Sequence, residues 1–310
     1  MITIFKSTEL GLETINDFRN GSWVNLVDPT PEEIARLHQE VGIPLDFITY
    51  PLDIDERART EKEDNVLLIV LRIPYFRGEQ ADIPYTTIPL GIIINTNIII
   101  TICKMKNDII NDFAAGRVRG LSTAKKNRFI LQILLKTANS YLKYLHNINR
   151  TIDMLEDKLQ VSMRNEEVLE LLKYQKSLVL FSTALKSNEL VMERLQQSQL
   201  FKMYPDDEDL LEDVLIENQQ AIEMTTIASN ILSQMMDAFA SIISNNLNVV
   251  MKFLASVTVV LMLPTLVASI YGMNIKLPLQ DFPHAFHITM AISFGMSLLI
   301  AIIFVKKGWF

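Results

Sequence analysis

Few side chains in this 310-residue sequence stand at spacings that support covalent or acid–base chemistry. The four histidines, His38, His146, His284 and His287, form no HExxH or comparable ligand spacing, and a single cysteine, Cys103, excludes a disulfide framework or a multi-cysteine zinc site. Neither a phosphate-binding glycine loop nor a nucleophile elbow occurs. The pattern with chemical content is periodic. Asn248, Met251, Ala255, Thr258, Met262, Thr265, Ser269 and Gly272 recur every three to four residues, on one face of a helix, within a mainly apolar stretch. Polar atoms in a bilayer core are costly unless they meet water or protein. The stripe therefore reads either as a small-residue contact between helices or as the lining of a wet ion path, and periodicity does not separate the two. Two helices cannot enclose a path, so the second reading requires several chains around an axis.

Elements that cross lipid must hold this stripe. Hydrophobic residues make up 49% of the chain and charged residues 21%, with a mean hydropathy of +0.21, too apolar for an ordinary soluble protein of this length. Residues 1–251 carry 35 acids against 25 bases, net −10, while the last 59 residues carry five charges. An acidic soluble part argues against nucleic acid as a partner and suits the attraction of cations. Residues 253–272 and 285–305 are uncharged runs, each long enough to cross a ~30 Å hydrocarbon core. The link at 273–284 is short, so the spans form a hairpin. Lys252, Lys306 and Lys307 flank its open end, which predicts a multi-pass cell-membrane protein with its bulk and both termini in the cytoplasm. Trp309 and Phe310 then read as an interfacial anchor. The N-terminal MITIFKSTEL is too polar for a signal-peptide core, so insertion is expected to come from within.

The remaining organisation follows from punctuation. Seven of ten glycines and seven of eleven prolines lie in residues 1–120, which predicts a mixed α/β domain there. Runs 65–74, 85–90 and 91–103 read as strands, and 30–41 as a capped helix opened by Asp28 and Pro29. From Lys125 the apolar spacing changes to three and four, which predicts a helical hairpin over 121–204 with its break at 164–167. A stalk helix is expected over 205–252, continuous with a first span at 253–272, then a loop at 273–284, a second span at 285–305 and a basic tail at 306–310. Asp206 to Asp213 (DDEDLLED) reads most simply as a helix N-terminus with a solvated acidic face. Met251 and Met262 taken alone are gap-filling apolar residues. His284 and His287 read as interfacial residues, and Cys103 as an inert buried thiol.

The first span ends in Tyr271-Gly272-Met273-Asn274, followed by a short loop, a second span and a basic tail. In that order the sequence resembles the CorA family of magnesium transporters. Leu52-Asp53-Ile54-Asp55-Glu56-Arg57-Ala58-Arg59 is similar to that family's LD-x-x-ERPR segment, with Ala58 in place of proline. Asn248-Val249-Val250-Met251-Lys252-Phe253-Leu254 resembles its N-x-V-M-K-x-L approach to the pore helix, and Lys306-Lys307-Gly308-Trp309-Phe310 its basic aromatic tail. The resemblance implies a homopentameric funnel: an α/β cytoplasmic domain, a long-helix stalk and two C-terminal transmembrane helices, the first lining the pore. It implies Mg²⁺ as transported and regulatory ion, with Co²⁺ or Ni²⁺ as further cargo, no organic cofactor and no enzymatic activity. Asn248, Met251, Leu254, Met262 and Thr265 would line or constrict the pore, with Met251 and Leu254 as a dewetting gate. Gly272, Met273 and Asn274 would form the outer mouth, Asp237 an acidic ring, and Asp213 an inter-subunit divalent sensor. The sensor's usual acidic partner falls on Arg77, so either Glu79 or Asp82 substitutes or the site is weakened or lost. The outer loop lacks the family's usual glutamate and leaves Asp281 as its acid. Two other functions remain open on sequence alone: a zinc transporter of the same architecture, and a cytoplasmic enzyme or sensor tethered by its spans.

Overall fold

The computed structural model describes residues 1–9, 11–162, 165–197, 205–278 and 282–309. The strands are β1 Ile2–Thr8, β2 Gly11–Ile15, β3 Ser22–Val27, β4 Arg59–Glu63, β5 Val66–Phe76, β6 Tyr85–Ile94 and β7 Ile99–Cys103. The helices are α1 Pro31–Val41, α2 Leu45–Thr49, α3 Asp108–Ala114, α4 Lys126–Ser162, α5 Asn165–Gln197, α6 Pro205–Tyr271 and α7 Ala285–Lys306. Two compact units result, Met1–Gln234 and Met235–Phe310, the division falling inside α6. Arg164, where a helical break was expected, together with Asp281 and Phe310, lies outside the described residues, as does the side chain of Asp206.

In the first unit the strands form one sheet in the order β2-β1-β3-β7-β6-β5-β4, with β3 and β7 parallel and the other pairs antiparallel. Side chains alternate across a strand, so β5 feeds two cores. Ile69, Leu71 and Ile73 pack with Phe129, Ile130 and Ile133 of α4, whereas Leu68 and Val70 pack with Leu37, Phe47 and Ile48 of α1 and α2. The capped helix begins with Pro31 and is closed by Thr30, not by Asp28. Glu33 N donates to Thr30 Oγ1 at 3.3 Å and Thr30 N donates back to Glu33 Oε2 at 3.0 Å, a reciprocal cap.

The 91–103 run divides into the end of β6 and all of β7 because Asn95 Oδ1 accepts from both Asn97 N and Ile98 N, at 2.8 Å each, and turns the chain. Tyr85 to Ile94 is instead one strand running through Pro89. A proline removes a ladder donor, yet none is needed here. Pro89 lies opposite Arg72, whose own backbone groups are taken from the other side, by helices. Arg72 N donates to Asn188 Oδ1 at 2.9 Å, and Arg72 O accepts from Asn188 Nδ2 and Tyr141 Oη at 2.8 Å each. β4 pairs only as far as Val70, so Asn188 of α5 extends the ladder where the edge strand stops. Gly91 is required for a different reason: a Cβ there would lie 2.2 Å from Pro51 Cγ.

Candidate functional site

The second unit carries the ion-path candidates. The apolar segment of α6 and the whole of α7 are long and apolar enough to span a membrane and are scarcely buried, unlike the core helices of a soluble protein. Their contact is built around Pro264. A proline inside a helix leaves the carbonyl four residues back without its N–H partner, and that carbonyl, Val260 O, accepts Ser297 Oγ of α7 at 3.1 Å. Ser256 and Ser297 are buried beside it, and Val260, Leu263 and Val267 are half-buried. At 100° per residue this contact face spans about 60°, and the centre of the periodic stripe lies roughly 150° from it.

The stripe is accordingly turned away from α7. Asn248, Met251, Ala255, Thr258, Met262, Thr265, Ser269 and Gly272 are all exposed. A helix contact within the hairpin therefore does not explain them. Thr258 Oγ1 donates to Leu254 O at 2.8 Å and Thr265 Oγ1 to Leu261 O at 3.1 Å. Each hydroxyl proton is committed to its own helix, which satisfies the donor in lipid, and each oxygen keeps a lone pair facing outward. Met251 and Leu254 are 57% and 52% exposed and Met262 is 62% exposed, on the same side as the stripe.

At the far end α6 stops at Tyr271, and Gly272 N still donates to Ala268 O at 2.9 Å while Met273 N donates to Ile270 O at 3.2 Å. Tyr271 Oη donates to Pro278 O at 3.1 Å and folds the link back over the helix end. Met273 and Asn274 are exposed, and among the described residues the Asn274 carboxamide has no hydrogen-bond partner. At the other end of the hairpin, Trp309 stacks on Phe304 with centroids 5.2 Å apart.

The regulatory candidates sit elsewhere. Arg77, Glu79 and Asp82 lie on the β5–β6 connection, which Arg77 N closes by donating to Pro84 O at 2.8 Å. All three are exposed, and Asp82 reaches Lys176 Nζ at 3.4 Å. Beneath them Tyr85 meets Phe76, Tyr144, Tyr174 and Phe181. Burial pushes the Tyr85 and Tyr174 hydroxyls above the usual phenol range, and the Glu79 charge adds to this. Asp213 and Asp237 are exposed on α6, and among the described residues no ion pair within the chain joins Asp213 to Arg77, Glu79 or Asp82. Asp207, read as part of a solvated face, is 5% exposed and pairs with Arg128 at 3.4 Å. Its partner is 79 residues away, beyond any local pattern. Cys103 is buried, which pushes its thiol up.

An α/β unit joined through one long helix to an apolar hairpin, whose exposed face offers oxygen acceptors, is the build of a membrane ion transporter. The family described as CorA-like Mg²⁺ transporter protein matches residues 19–307, and the chain belongs to that family. It is 31% identical over 297 residues to the cobalt/magnesium transport protein CorA of Methanocaldococcus jannaschii, covering 93% of this chain and 90% of the relative. It is 25% identical to the cobalt/magnesium transport protein CorA of Thermotoga maritima, covering 98% and 88%. The complete structure of the CorA magnesium transporter from Methanocaldococcus jannaschii superposes with a TM-score of 0.87 at 27% identity, covering 100% of this chain and 99% of that one.

Proposed function

We propose that the chain assembles as a homopentamer in the cell membrane, termini in the cytoplasm, and conducts Mg²⁺ inward, with Co²⁺ and Ni²⁺ as lesser cargo. The observation that carries this is the exposed acceptor stripe of α6 on the face away from α7. Five helices packed ~10 Å apart place their axes about 8.5 Å from a common centre, which leaves a lumen shaped by the stripe side chains. Mg²⁺ parts with its waters reluctantly and is usually bound with several retained. The exposed Asn274 carboxamide and backbone carbonyls at Gly272 and Met273 can accept hydrogen bonds from those waters without holding the ion permanently. Asn248 and Thr265 supply further acceptors along the path, and Asp237 concentrates cations at its cytoplasmic approach.

Met251, Leu254 and Met262 form apolar rings that close the pore by dewetting when the chains draw together. Divalent cations bound between stalks favour that closed state, with Asp213 on one chain and Glu79 or Asp82 on its neighbour as carboxylate ligands; Arg77 beside them weakens the binding. The family membership and the cobalt/magnesium names of the relatives support Mg²⁺ over Zn²⁺ as cargo. The test is flux into proteoliposomes with Mg²⁺ or Zn²⁺ outside, for the parent and for Asn274→Ala. Mg²⁺ flux in the parent and its sharp loss in an Asn274→Ala protein that still assembles are expected. Flux of Zn²⁺ alone, or equal Mg²⁺ flux in both proteins, would overturn the reading.

A further inference from the structure

His284 is the N-cap residue of α7 and His287 lies three residues on, in its first turn. Their ring centroids are 6.2 Å apart, with ring planes at 73°. An imidazole nitrogen ligates a first-row metal at ~2.0–2.1 Å, which puts two rings on one ion with centroids about 5.2 Å apart at a tetrahedral angle and about 6.4 Å apart when opposed. The observed separation falls inside that range, toward its opposed end.

Both histidines are exposed, and among the described residues neither imidazole has a hydrogen-bond partner. Phe286 meets the His287 ring edge-on at 5.7 Å and limits its freedom. The surrounding sequence offers little competition for a metal: residues 253–305 contain no cysteine or glutamate and a single aspartate, Asp281. The donor type then selects the ion. Mg²⁺ takes oxygen ligands and keeps its waters, whereas imidazole suits Co²⁺, Ni²⁺ and Zn²⁺.

We propose that His284 and His287 chelate one first-row transition-metal dication at the loop end of the hairpin, a site that Mg²⁺ does not occupy. That this end is the outer mouth rests on the transport reading above; the chelation does not. A chain of this build then meets its cations twice, through oxygen acceptors that pass a hydrated hard ion and through nitrogen donors that hold a softer one.

The experiment titrates Ni²⁺ into untagged full-length protein in detergent against a chromophoric chelator, with His284→Gln, His287→Gln and the double variant alongside. One Ni²⁺ per chain is expected in the parent. Each single substitution should lose the Ni²⁺ seen in the parent, as should the double substitution, and millimolar Mg²⁺ should leave the parent's Ni²⁺ in place. Equal Ni²⁺ binding in parent and double variant, or displacement by Mg²⁺ at the concentrations that suffice for Ni²⁺ itself, overturns the site. The two readings fail separately: loss of the site leaves parental Mg²⁺ flux untouched, and a parent without flux that still binds Ni²⁺ refutes transport alone.

Discussion

Replacing Asn188 tests whether the helical pair is held to the sheet by one side chain. Asn188 is fully buried and makes a reciprocal pair of hydrogen bonds with the Arg72 backbone, at 2.8 and 2.9 Å. In Asn188→Ala the Arg72 carbonyl keeps Tyr141, but the Arg72 N–H has no partner, since β4 ends its pairing at Val70. Two lost bonds at about 1 kcal/mol each, plus part of the ~1–3 kcal/mol cost of an orphaned donor, sum to roughly 2–4 kcal/mol. At ~2–4 °C per kcal/mol for a unit of this size, apparent Tm should fall by about 4–16 °C. Tyr141→Phe removes one bond from a carbonyl that retains another, so it should cost only about 1 kcal/mol. The assay is thermal unfolding of the detergent-solubilised chain, with hydrogen exchange at the Arg72 amide as a local readout. A fall below about 1 °C, or a greater loss in Tyr141→Phe than in Asn188→Ala, would refute the idea that the side chain stands in for the missing strand.

The other expectations concern packing, gate and sensor. Gly91→Ala drives a Cβ into the rigid Pro51 ring and should destabilise the first unit by about 1–3 kcal/mol or more; an unchanged denaturation midpoint would show that the 3-10 turn at 50–52 yields freely. Met251→Asn or Leu254→Asn wets an apolar ring and should raise basal conductance in high Mg²⁺, and currents still fully inhibited in both variants would count against the gate. Arg77→Asp should move Mg²⁺-dependent closure to several-fold lower Mg²⁺. No shift there, together with lost sensitivity in Glu79→Ala or Asp82→Ala, assigns the sensing partner to one of those acids and removes Arg77 from the site.

Features governed by lipid are visible in the chain because the bilayer imposes length and polarity residue by residue: the two apolar runs and the polar stripe stand out without any knowledge of packing. Which face of the first span meets the second does not. Ser256 and Thr258 are chemically alike, and only the carbonyl freed by Pro264 and its partner Ser297 place one inside the contact and the other outside. Proline inside an apolar helix was visible; the residue that compensates it, 37 positions on in the bond it makes, was not. Asp207 shows the same limit, since charge clustering describes a solvated helix start equally well until Arg128 of α4 is brought beside it. In the sheet, the strand through Pro89 contradicts local propensity because Asn188, a polar residue on an amphipathic helix, takes over the backbone groups of Arg72.

The back-bonded threonines bear on which sign of charge the path admits. While their hydroxyls donate to Leu254 O and Leu261 O, Thr258 and Thr265 present an acceptor to water. Water held against such a wall points its hydrogens outward, toward the protein, and its oxygens inward, toward the lumen. In the proposed pentamer a cation on the axis would meet solvent already oriented to receive it. An anion would have to reverse that solvent or break helix hydrogen bonds to find donors. In the pore proposed above, rejection of anions over this stretch would follow from the direction of the hydrogen bonds, since residues 253–272 carry no charge.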